Sequence, residues 1–179
     1  MKEKVDVYKE YCAGCGLCHS AEAVQYEYQN GFFKPELHQN NFSFCEGVCP
    51  ASGNWLKDID PKKKWGKYIN ACVTWSSDPQ LRFSASSGGT ITVISEYLLN
   101  KKLVDEIIHT CVSKQSQIKT EYTKSKSVDE LRDKTGSRYT VSSPLIELLQ
   151  CISPEKKYAV VGKPCDILVL RRYLDAHQE

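Results

Sequence analysis

The spacing of the cysteines constrains this chain more than any other feature. Cys12-Ala-Gly-Cys15-Gly-Leu-Cys18 places three thiols at intervals of three residues, and Cys49-Pro50 supplies a fourth followed by proline. A C-x2-C-x2-C run closed by a remote C-P is the ligand pattern of a bacterial-type ferredoxin cluster. Gly14 and Gly16 permit the sharp backbone and expose amide N–H groups toward sulfur, where they stabilise cluster charge. The spacing predicts a 4Fe-4S cluster on Cys12, Cys15, Cys18 and Cys49. The competing reading is a structural zinc site, but zinc ribbons present two separated C-x2-C pairs rather than a triplet.

The chain has nine cysteines in 179 residues, five of them between Cys12 and Cys49. Cys45 is a fifth candidate where one cluster takes four. Two full clusters need eight ligands, which would draw in Cys72, Cys111, Cys151 or Cys165. Cys111 and Cys151 lie in apolar segments and read as packed core thiols. His19 reads as a solvent-facing neighbour of the cluster. The N-terminus has acids and no apolar leader, so the expectation is a reducing, cytoplasmic setting where clustered cysteines bind metal or do chemistry.

Other classes are set aside by charge and hydropathy. A net charge of +2 is too even to point to nucleic acid. A mean hydropathy of -0.45 and the absence of an apolar run near ~20 residues argue against a membrane span.

Two regions follow from the patterning. In residues 1–54, Val24, Tyr26 and Tyr28 alternate with polar residues, and Asn30-Gly31 is a favoured pair for a type I′ turn. The expectation is a β-hairpin that brings Cys18 toward Cys45 and Cys49, with Pro35 marking an edge strand. Residues 55–81 read as a linker, with Lys57, Lys62, Lys63, Lys64 and Lys67 as a solvated face or a dock for an acidic partner. From residue 82 the pattern turns to α/β. Ile91, Val93, Ile94, Tyr97 and Leu98 fall at helical spacing within Thr90–Lys101. Glu106–Val112 reads as a buried strand and Ser113–Lys126 as a polar loop. Ser127-Val-Asp-Glu130 is a capping box opening a short helix that Gly136 closes. Ser143-Pro144 starts a helix carrying Leu145, Leu148, Leu149 and Ile152. Tyr158–Val161 reads as a strand, Gly162-Lys-Pro-Cys165 as a turn, and Asp166–Tyr173 as a helix.

Three small-residue segments join these elements: Ser86-Ser87-Gly88-Gly89-Thr90, Gly136-Ser137-Arg138-Tyr139, and Gly162-Lys163-Pro164-Cys165. Glycines before a helix let a phosphate approach backbone N–H groups, and Arg138 and Lys163 add cations. Together they point to a cofactor phosphate.

These segments resemble a known family, the beta subunits of coenzyme F420 hydrogenases and dehydrogenases. The matching runs are Arg82-Phe-Ser-Ala-Ser-Ser-Gly-Gly, Leu99-Asn-Lys-Lys-Leu-Val-Asp, Gly136-Ser-Arg-Tyr139 and Val161-Gly-Lys-Pro-Cys-Asp-Ile-Leu. The family's counterparts are R-[YF]-x-x-S-S-G-G, L-x-x-G-L-V-D, G-S-K-Y and G-T-P-C-Q. Lys102 stands where the family often has Gly, Arg138 where it has Lys, and Lys163 and Asp166 where it has Thr and Gln. Arg for Lys keeps the charge and changes its geometry.

The resemblance implies FAD and an iron–sulfur cluster passing electrons to a deazaflavin coenzyme or another small-molecule acceptor. It implies flavin contacts at Ser86, Ser87, Gly88, Gly89, Thr90, Ser137, Arg138 and Gly162, and leaves the catalytic residues unassigned. The architecture expected is a small ferredoxin-like iron–sulfur module (1–54) followed by an α/β flavin-binding region (82–179), in a chain shorter than its family. A redox partner protein or a missing C-terminal part would complete it. The rival readings are a truncated 4Fe-4S electron carrier without catalysis and a zinc-stabilised interaction domain.

Overall fold

The computed structural model describes residues 2–29, 32–37, 43–53 and 68–177. Helix α1 (Lys2–Tyr11) leads into an irregular loop carrying Cys12 and Cys15, and α2 (Leu17–Ser20) follows at once. Strands β1 (Tyr26–Gln29) and β2 (Phe32–Pro35) pair antiparallel, with Tyr26 opposite Pro35 and Gln29 opposite Phe32. That register leaves two residues for the turn. The expected Asn30-Gly31 turn itself lies outside the described residues, as do the lysines at 57–67. Pro35 ends a strand of a two-stranded sheet, where each strand has a free edge that tolerates a missing N–H. Helix α3 (Ser43–Val48) then delivers Cys49 to a 3-10 turn at Pro50–Ser52. Tyr8, Val24 and Leu37 form a small core here, and Cys18 and Cys49 pack against it.

The second region begins inside the expected linker. Asp78 caps α4 (Pro79–Ser84) by accepting from the amides of Gln80 and Leu81 at 2.9 and 3.2 Å. Helix α5 (Thr90–Asn100) follows the Ser-Ser-Gly-Gly turn. Its apolar residues are at helical spacing, yet Ile91, Ile94 and Tyr97 are exposed and Ser95 is the buried position. Lys102 adopts a left-handed φ of 54° just beyond the helix. That conformation favours glycine, which accounts for the glycine common there in the resembling family.

A three-stranded sheet has the order β4-β3-β5. Central β3 (Glu106–Val112) runs parallel to β5 (Tyr158–Val160) and antiparallel to β4 (Thr120–Ser125). Strand β4 corrects the expectation of a loop through Lys126. Its sequence, Thr-Glu-Tyr-Thr-Lys-Ser, is polar, but its Thr and Tyr residues favour a pleated, half-buried edge. Helix α6 (Val128–Arg132) begins at Ser127, whose hydroxyl accepts from the Glu130 amide at 3.2 Å. The Glu130 carboxylate reaches the Lys126 amide at 2.9 Å rather than that of Ser127, so the expected capping box is displaced by one residue.

The helix expected from Ser143-Pro144 is also corrected. The chain turns at 144–147, and only α7 (Leu148–Cys151) is helical. The start of that segment is tied to the cysteine loop. Ser143 Oγ donates to the Gly14 carbonyl at 2.7 Å, and the Leu145 amide donates to the Cys15 carbonyl at 3.0 Å. Helix α8 (Pro164–Ala176) closes the described chain.

The main core joins both regions. Leu17 and Val48 from the cysteine-bearing part pack with Ile108, Leu145, Leu148, Val169 and Leu170. Polar contacts reinforce the seam: Ser20 Oγ donates to Gln150 Oε1 at 2.9 Å, and Gln150 Nε2 returns a bond to the Ser20 carbonyl at 2.6 Å.

Candidate functional site

Cys12, Cys15, Cys18 and Cys49 are all half-buried free thiols. Burial pushes the thiols of Cys12, Cys15 and Cys49 up, Cys49 to about 11, and neighbouring thiols of the same group add to each shift. Against this, donors point at sulfur. The Gly14 amide lies 3.4 Å from Cys12 Sγ, the Leu17 amide serves Cys15, and the Ala51 amide serves Cys49. Amides aimed at sulfur stabilise a thiolate far more than a thiol. Soft thiolate donors in a partly dry pocket, three of the four met by an N–H, suit an iron–sulfur cluster. Metal binding would displace the thiol protons.

Among the described residues, no three His, Cys, Asp or Glu side chains converge on one point as a single ion requires. Cys45 lies on α3, and its side chain is outside the described residues. His19 is half-buried rather than solvent-facing, with Nδ1 3.3 Å from the Val24 carbonyl. Cys72 is exposed, whereas Cys111, Cys151 and Cys165 are half-buried.

The three small-residue segments meet at one cavity of about 330 Å³. Ser86, Ser87, Gly89, Ser137, Arg138 and Gly162 line it. Gly88 and Thr90 do not. Gly88 instead faces the 74–76 segment: its carbonyl accepts from the Ser76 amide at 2.7 Å, and a Cβ there would lie 2.9 Å from that of Trp75. Thr90 Oγ1 pairs with Thr74 Oγ1 at 2.9 Å. Ser87, Gly88 and Gly89 are all left-handed, with φ of 50°, 69° and 79°, which turns the chain sharply into α5. The Ser137 amide donates to Ser86 Oγ at 2.7 Å and joins two of the segments. Arg132 braces the same wall, with Nε 2.6 Å from Glu96 Oε1 and Nη1 3.0 Å from Asp78 Oδ2.

The cations around the cavity differ in their freedom. Lys163 is held by Ser142 and Asp166, and Lys134 by Thr123, the Lys124 carbonyl and Ser125. Arg138 has no hydrogen-bond or ion-pair partner among the described residues. Asp166 is fully buried; its carboxylate accepts from the Lys163 amide at 2.8 Å and pairs with Lys163 Nζ at 3.0 Å. It lines the cavity as a compensated anion that caps α8, not as a bare charge.

Sequence reasoning missed His109, Lys134, Ser142 and Pro144 in this lining. His109 is buried, with Nε2 2.8 Å from Ser125 Oγ. Burial, with Lys134 nearby, lowers its pKa below the ordinary histidine value. Its place on the central strand was the available signal.

Ser142 and Pro144 have a further role. They line the cavity, while the intervening Ser143 and following Leu145 bond the backbone of the cysteine loop. One stretch of chain is thus wall to both sites. On its other side lies a second cavity of about 640 Å³, lined by Tyr122, Val141, Ser143 and Ile146 but also by Glu121 and Glu147 against one cation, Lys119. Those acids make it the poorer place for an anionic group.

Comparison with known proteins gives two matches. Residues 71–150 match the family described as coenzyme F420 hydrogenase/dehydrogenase, beta subunit N-terminal. Over these residues, fewer than half of the chain, it is similar to the N-terminal part of that beta-subunit family. A curated relative, the F420-dependent formate dehydrogenase subunit beta of Methanocaldococcus jannaschii, is 32% identical over 114 residues, covering 63% of this chain. The match spans 28% of that relative's length. No helix among the described residues is long and apolar enough to cross a membrane.

Proposed function

We propose that the chain is the N-terminal part of an iron–sulfur flavoprotein oxidoreductase. Cys12, Cys15, Cys18 and Cys49 hold a 4Fe-4S cluster, and the glycine-lined cavity takes the anionic part of FAD. A cluster moves single electrons and a flavin exchanges one or two, so the pair connects one-electron carriers to two-electron substrates. The acceptor is a deazaflavin coenzyme or another small molecule, and the remainder of a longer protein or a redox partner completes the assembly.

The observation that carries this reading is the shared wall at 142–145. Ser142 and Pro144 line the cavity, and Ser143 and Leu145 bond the cysteine loop, which supports two sites set back to back. A cubane cluster asks less convergence of its thiolates than a single ion does, because each binds its own iron. Arg138 and the amides opening α5 bind negative charge, the task a flavin phosphate sets. A cavity of about 330 Å³ is at the low end for small-molecule sites, which fits a partial flavin site.

The test is anaerobic reconstitution followed by visible spectroscopy and quantitation of iron, sulfide and flavin. Broad visible absorbance with matching iron and sulfide, lost in Cys49→Ser and kept in Cys72→Ser, supports the cluster. Bound zinc without colour refutes it. Iron–sulfur absorbance with no affinity for FAD leaves an electron carrier.

A further inference from the structure

At Cys12, Cys15 and Cys49 a backbone amide donates to sulfur. Backbone donors come with the loop's path and cannot be altered by changing a side chain. At Cys18 the neighbour is the hydroxyl of Tyr26, 3.5 Å from Sγ. The same hydroxyl also reaches Cys12. With a protonated thiol, Cys18 donates and the phenol oxygen accepts. A metal-bound thiolate has no proton to give, so the phenol O–H becomes the donor.

The phenol is held firmly in that position. Tyr26 opens β1 and pairs with Pro35. The His19 ring meets its ring edge-on, with centroids 5.9 Å apart and an interplanar angle of 71°. His19 is fixed in turn by its contact with the Val24 carbonyl.

Resting on the cluster reading above, we propose that Tyr26 is a positioning residue that sets the reduction potential of the cluster by donating its one hydroxyl hydrogen to the thiolate of Cys18. Reduction adds negative charge to the cluster, and a donor at sulfur stabilises the reduced state more than the oxidised one. The donor therefore raises the potential. It is a single side-chain atom, so this potential is adjustable by one substitution that spares all four ligands.

The experiment is an EPR-monitored redox titration of the anaerobically reconstituted full chain, with iron and sulfide measured on the same samples. Tyr26→Phe removes the oxygen and keeps the ring. The expected result is unchanged iron content and a midpoint potential shifted in the negative direction. A second variant carries 3-fluorotyrosine at position 26; its shape is nearly conserved and its hydroxyl is a stronger donor, so the shift is positive. If Tyr26→Phe loads poorly, the fluorotyrosine chain decides. Equal potentials in all loaded chains overturn the proposal while leaving the cluster reading intact. A wild-type chain that takes up no iron and sulfide overturns both.

Discussion

Replacing Gly16 by alanine tests the seam between the cysteine loop and the rest of the protein. Gly16 has φ of 88°, and an added Cβ would lie 2.7 Å from both Cα and Cβ of Ile146 and 2.9 Å from its amide nitrogen. The left-handed backbone alone costs alanine about 1–2 kcal/mol. The contact with backbone cannot be relieved by rotating a side chain, so the 143–146 segment must move away. That movement loosens the Leu145–Cys15 and Ser143–Gly14 hydrogen bonds, worth about 1 kcal/mol each. The expected loss is about 3–4 kcal/mol, a large part of the ~5–15 kcal/mol of a typical domain. Urea unfolding of the reduced chain, followed by far-UV circular dichroism, measures it. Two glycines serve as controls. Gly136 also has positive φ, 104°, but open space around its Cβ position; Gly136→Ala should show the backbone strain alone. Gly47 lies in α3 with open space and no positive φ, so Gly47→Ala should stabilise by about 0.5–1 kcal/mol. Equal losses at Gly16 and Gly136 would falsify the seam argument.

Two further outcomes follow from the charges. Arg138→Ala should weaken FAD binding roughly 10- to 150-fold, the loss of one charge-assisted hydrogen bond of about 1.5–3 kcal/mol; fluorescence titration giving equal affinities would remove Arg138 from the site. Glu106 is buried, with Lys156 Nζ at 2.7 Å and Lys124 Nζ at 3.4 Å. The Lys156 contact holds its carboxyl below the ordinary value of 4.5. A lowered folded pKa means stability present above about 4.5 and lost as the pH falls through the folded value. Glu106→Gln should cost roughly 1.5–3 kcal/mol at neutral pH and flatten that acid limb in unfolding experiments run from pH 7 downward.

Where sequence alone was informative, it was through local rules. The hairpin, β3 and β5 follow from alternation and apolar runs, each readable within a few residues; the pattern places α8 over Asp166–Tyr173, but it begins at Pro164, inside the expected turn, and runs to Ala176. Strand β4 was hidden because an edge strand satisfies its backbone through β3 while its side chains stay polar. The short α7 was hidden for the opposite reason: Leu145 and Leu148 do bury as expected, but Ser143 and Leu145 are tied to the carbonyls of Gly14 and Cys15, and the chain turns at 144–147 before it becomes helical. No local pattern can report a partner about 130 residues away in sequence. At the cavity, the three glycine segments were legible as turns. Their meeting depended on Ser86 bonding Ser137, and His109 and Lys134 were invisible until the sheet placed them.

The mixed core has a consequence for how this protein comes apart. Leu17 and Val48 supply one side of a core whose other side is Ile108, Val169 and Leu170. Cutting the chain near residue 54 would strip apolar cover from both pieces at once, leaving neither with a closed interior. The cysteine-bearing part is therefore no detachable cassette, however much its spacing looks like one. Heat or urea should melt the hairpin and the sheet in a single cooperative transition, and exchange of this segment between relatives would have to carry its facing leucines and valine along.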